Sequence, residues 1–140
     1  MKRGIFFIFL AIIATCCQPS TSPQTKITEK EGVNILYFHG EHHCKTCEAI
    51  EKNTQIVINQ YFTQEVSEGK LSFQIIDFSK SENEAIADSY QIAWDALLIV
   101  SKQGEQKEVI DLTNFAVTHA LGQPQQFQKH LQEVIIQVLS

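Results

Sequence analysis

The sequence lacks a surplus of positive charge. Its 16 Asp and Glu outnumber its 11 Lys and Arg, for a formal net charge of −5. That balance argues against a nucleic-acid partner, which wants a basic patch to meet phosphates. Charged residues of both signs are sparse, at 19%, while 44% of the chain is hydrophobic, as in an ordinary globular protein. Beyond Ala14 no apolar run reaches the roughly 18 residues needed to cross a bilayer. No segment repeats another. The 140 residues suffice for one domain and not for two ordinary ones.

The N-terminus departs from the rest. Met1-Lys2-Arg3 is basic, and Gly4 through Ala14 is almost wholly apolar. This is the pattern of an export signal, too short for a comfortable membrane span. Ile13-Ala14-Thr15-Cys16 then resembles the bacterial lipoprotein signal, with Cys16 as the residue to be lipidated and Cys17 as a second candidate. The expected organisation is a signal peptide over 1–15, a flexible tether over 16–30 and a domain over 31–140. The tether holds two of the three prolines and mostly polar residues. The chain is thus expected to be exported to the cell envelope of a bacterium and held by an N-terminal lipid, facing the periplasm.

Two cysteines remain in the domain, in Cys44-Lys45-Thr46-Cys47. Val33-Asn34-Ile35-Leu36-Tyr37-Phe38 precedes them and reads as a buried strand. Ile50, Val57, Ile58 and Tyr61 follow at helical spacing. The pair therefore falls at a strand-to-helix junction, where backbone N–H groups and the helix dipole favour a thiolate. Glu48 and Glu51 suit the helix start but oppose that effect on a thiol. Away from the reducing cytosol the two sulfurs can persist as a disulfide. A loop this small makes a weak staple, because cross-links gain with loop length. It suits a redox switch better.

Downstream, residues 65–70 read as a polar turn and 71–78 as a strand. Ser79 to Asn83 reads as the cap of a short helix to Tyr90. Ala96 to Ser101 is a strongly apolar strand, and Gln106 to Leu112 returns after the Lys102-Gln103-Gly104-Glu105 turn. Residues 113–123 are open between loop and helix. Pro124 opens a last helix with Phe127, Leu131, Val134, Ile135 and Val138 on its core side. His119 and His130 are expected at the surface. The order β-α-β-α-β-β-α predicts an α/β fold, a four-stranded mixed sheet flanked by helices.

This order, with Cys-x-x-Cys after the first strand, resembles the thioredoxin-like family over about residues 31–140. Tyr90-Gln91-Ile92-Ala93-Trp94-Asp95-Ala96-Leu97 is similar to that family's approach to a cis-proline and its following strand, and Lys102-Gln103-Gly104-Glu105 to the turn after it. The resemblance implies a thioredoxin-like fold and thiol–disulfide exchange. Cys44 would attack and Cys47 would resolve the mixed disulfide. It implies protein thiols or disulfides of the envelope as substrates, and a membrane electron-transfer partner if the direction is reduction. No cofactor is expected. Three departures stand out. His43 replaces the usual aromatic residue before the first cysteine. Ala96 occupies the cis-proline position. The first strand carries no acid beneath the pair, its only polar residue being Asn34.

Around the pair, His43, His42 and Lys45 are candidates for tuning the thiolate, and Trp94 and Ala96 for facing substrate. Solvated loop residues, and for Trp94 a packing role, are the plainer alternatives. His39, nearer the strand, is expected to be partly buried. Two other functions stay open. One is a copper or zinc carrier using Cys44, Cys47 and His42 or His43. The other is a binding domain whose thiols are inert.

Overall fold

The run Val33–Phe38 forms a strand with every residue buried, as its near-continuous apolar character demands. In the computed structural model, which describes residues 29–42 and 44–140, this strand is β1 (Gly32–His39). It is followed by α1 (Lys45–Tyr61), α2 (Thr63–Ser67), β2 (Leu71–Asp77), a 3-10 turn at Ser81–Asn83 and α3 (Glu84–Ser89). Then come β3 (Ala96–Gln103), β4 (Gln106–Asp111), α4 (Thr113–His119) and α5 (Pro124–Leu139). The signal and tether expected at the N-terminus fall on residues 1–28, outside the described residues apart from the tether's last two, and His43 also lies outside them.

The sheet order is β2-β1-β3-β4. β1 is parallel to β2 and antiparallel to β3, and β3 and β4 form a hairpin. This is the expected mixed sheet, thioredoxin-like in its arrangement. The alternation of β1 divides the core into two layers. Val33, Ile35 and Tyr37 face α1, α4 and α5, meeting Val57, Ala116, Phe127, Leu131 and Ile135. Leu36 and Phe38 face the opposite layer with Ile76, Ala87, Leu98 and Val100. Each strand of the centre is thus covered on both sides, which explains its nearly continuous apolar sequence.

Asn34 is the exception within β1, and it is fully buried. Its amide accepts from the Lys30 backbone N–H (3.1 Å) and the Ser72 hydroxyl (2.8 Å), and donates to the Lys30 carbonyl (2.7 Å). A buried amide is tolerated when its polar atoms are paired. Asn34 therefore ties the segment entering β1 to β2. The β3–β4 turn also follows from its sequence. Gln103 pairs with Gln106, leaving Gly104 at the first central position with φ 59°. Glycine takes that left-handed conformation without the steric cost a Cβ would add.

Four local expectations need correction. The stretch read as a polar turn begins inside the short helix α2, which has no buried residue, and only its second half, 68–70, is the turn. Asn83 does not cap α3 through its side chain; that side chain donates instead to the Asp77 carbonyl (2.9 Å). His119 and His130 are half-buried rather than surface residues. They flank Phe115, with ring centroids at 4.1 and 4.2 Å. Tyr61, placed on the apolar stripe of α1, is 47% exposed at the helix end.

Candidate functional site

The C-terminal end of β1 runs through His39 and Gly40 into the loop that starts α1. Cys44 is the N-cap of α1, with extended backbone (φ −90°, ψ 163°). Its sulfur accepts from the Cys47 backbone N–H at 3.2 Å. The sulfur thus fills the place an N-cap oxygen usually takes, and satisfies an amide left open by the helix start. The same amide and the positive end of the helix dipole would stabilise a negative charge on Cys44 once the protein is reduced.

Cys44 and Cys47 form a disulfide, with their Cα atoms 5.0 Å apart. Their environments differ. Cys44 is exposed, whereas Cys47 is 3% exposed and belongs to the core layer under α1. Cys47 lies one turn into the helix, so the helical rise that exposes the first sulfur turns the second inward.

Lys45 and His42 are exposed. His39 is half-buried, and its Nδ1 lies 2.7 Å from the Gly40 carbonyl oxygen. A carbonyl only accepts, so that nitrogen carries the hydrogen. Ala96 is buried opposite Phe38, where β3 meets β1. Among the described residues no peptide bond is cis. A non-proline residue holds a cis bond only at a cost of about 2.5–4 kcal/mol, so a trans bond before Ala96 is expected. Trp94 is 70% exposed in the loop before β3.

That loop also delivers a residue the sequence analysis passed over. Asp95 is half-buried, and its Oδ1 accepts from the Gly40 N–H at 3.0 Å. Its Oδ2 lies 3.1 Å from the Cys47 sulfur. The first strand lacks an acid beneath the pair, and a carboxylate arrives instead from the start of β3. The signal was present in the sequence as an acid between Trp94 and an apolar strand, in the segment expected to face the pair. Tyr37, fully buried in β1, senses the same charge. Burial, with Asp95 and Glu51 nearby, pushes its phenol well above the ordinary value.

Among the described residues, a donor cluster is formed by Cys44, Cys47 and Asp95, whose ligand atoms lie within 4.8 Å of one another, and no histidine joins it. While the disulfide stands neither sulfur is a thiolate, so the trio does not bind a cation in this state. No described helix is long and apolar enough to cross a membrane.

No family model matches the chain, and no curated protein matches it. Among solved structures it is similar to a thioredoxin from Thermus thermophilus, at 16% identity and a TM-score of 0.47, over 76% of this chain and 75% of that one. It is also similar to a structure described as a malarial protein, at 14% identity and a TM-score of 0.40, over 63% of this chain and 94% of that one. By its own strand order and helix placement the chain has a thioredoxin-like fold, and the Cys44–Cys47 disulfide at the start of α1 supports a redox-type role.

Proposed function

We propose that the protein performs thiol–disulfide exchange on protein substrates through Cys44 and Cys47. The observation that carries this reading is the asymmetry of the pair. One sulfur is exposed and capped by an amide at a helix start, and its partner is buried beside it. Exchange needs such a division. The exposed thiolate attacks a substrate disulfide, and the inner thiol then displaces the substrate from the mixed disulfide. The export signal and lipidation at Cys16 read from the sequence would place this chemistry in a bacterial envelope. A membrane electron donor would be required there for a reductase.

The test is a reduction assay. The reduced protein is expected to reduce the interchain disulfides of insulin, with dithiothreitol regenerating it over many turnovers. Its reduction potential against glutathione then gives the direction. A value near that of thioredoxin, about −270 mV, indicates a reductase, and one near −120 mV an oxidant. Metal content is measured on the same reduced sample. Stoichiometric zinc or copper without insulin reduction would favour the carrier reading. Absence of both activities would favour a binding domain.

A further inference from the structure

We propose that Asp95 is a positioning residue for the exchange reaction: it accepts a hydrogen bond from the Cys47 thiol that exists only in the reduced protein, and takes that proton when Cys47 attacks. The role rests on the exchange reading above, but its test does not require substrate turnover.

The carboxylate has a fixed orientation. Oδ1 is held by the Gly40 N–H at 3.0 Å, which directs Oδ2 at the Cys47 sulfur, 3.1 Å away. An ionised carboxylate only accepts hydrogen bonds. A disulfide sulfur has no hydrogen to give. In the oxidised protein the contact therefore sets acceptor against acceptor. Reduction puts a hydrogen on Cys47, and the same geometry becomes a charge-assisted S–H···O bond. Asp95 thus favours the dithiol over the disulfide.

It also orders the two sulfurs. A negative charge on Cys47 would lie against the negative carboxylate, within a site only 3% exposed at Cys47. A negative charge on Cys44 meets the Cys47 N–H and open solvent. Cys44 is then the thiolate and Cys47 the held thiol.

Cys44 is joined to the substrate sulfur in a mixed disulfide. The Cys47 sulfur attacks the Cys44 sulfur, forming the Cys44–Cys47 bond and breaking the bond to substrate. The electron pair leaves with the substrate as a thiolate, and the Cys47 proton passes to Asp95 Oδ2. Over both steps, two electrons move from the protein dithiol to the substrate disulfide. No further reactant is needed.

Asp95→Asn separates this role from a structural one. The single amide oxygen of asparagine is needed by the Gly40 N–H, so its NH₂ group turns toward Cys47. A donor there suits a disulfide sulfur, which accepts. The Cys44–Cys47 equilibrium with glutathione is expected to shift roughly 10-fold toward the disulfide, a potential about 30 mV lower. Asp95→Ala removes the acceptor without supplying a donor, and is expected to shift it in the same direction by a smaller factor. A residue that merely braced the loop would give the reverse order, because alanine loses the Gly40 bond and asparagine keeps it. An unchanged or raised potential in either variant, or a larger shift in alanine than in asparagine, would overturn the proposal. Failure of the wild-type protein to reduce insulin would count against the exchange reading and leave these potentials readable.

Discussion

Replacing Cys44 by serine is expected to reduce insulin reduction to the uncatalysed level, while Cys47→Ser is expected to leave the first half of the reaction intact. The two variants differ by one atom each, but the positions are not equivalent. Cys44 is the exposed sulfur at the N-cap of α1, where an amide and the helix dipole support its thiolate. Without it the remaining thiol of the pair is 3% exposed and faces a carboxylate, so the site is left without a competent nucleophile. In Cys47→Ser the attacking sulfur persists and reacts, but a hydroxyl cannot complete the second displacement. The protein should accumulate as a covalent mixed disulfide with substrate, seen as a single added mass that dithiothreitol removes. Turnover in Cys44→Ser, or rapid release of substrate from Cys47→Ser, would contradict this division.

The second large effect concerns stability. Phe127→Ala is expected to cost about 3–5 kcal/mol, the usual loss for truncating a fully buried aromatic side chain. Phe127 has no exposed surface and lies in the core layer between α5 and the sheet, the same layer that contains Cys47. A domain of this size has only about 5–15 kcal/mol in total. The midpoint of urea unfolding should therefore fall steeply with the slope unchanged. A loss below about 1 kcal/mol would mean that the layer collapses to fill the space. That outcome would contradict the close packing described for the face on which the buried sulfur rests.

The parts of this molecule that could be read from residues alone are those with strong period or continuous burial. β1 and β3 are central strands covered on both sides, so their apolar runs, interrupted in β1 only by Asn34, mark them as strands, although β3 continues to Gln103 through two residues read as part of the turn. The strand-to-helix junction at Cys44 followed from β1 and the stripe of α1. α2 gave no signal because it buries nothing, and a helix without a buried face has no apolar period to detect. His119 and His130 were misplaced because their burial comes from Phe115, a packing partner that spacing does not disclose. Asp95 was missed for a related reason. Its importance lies in a contact with a residue 48 positions earlier, created by the antiparallel pairing of β1 and β3.

The asymmetry of the two sulfurs is the claim on which the account stands, and it can be measured directly. The protein is reduced, treated briefly with a limiting amount of iodoacetamide, and digested for mass spectrometry. Alkylation is expected at Cys44 with Cys47 almost untouched, and faster reaction at Cys44 than at an ordinary exposed thiol near neutral pH. Equal labelling of the two, preferential labelling of Cys47, or resistance of both would contradict it.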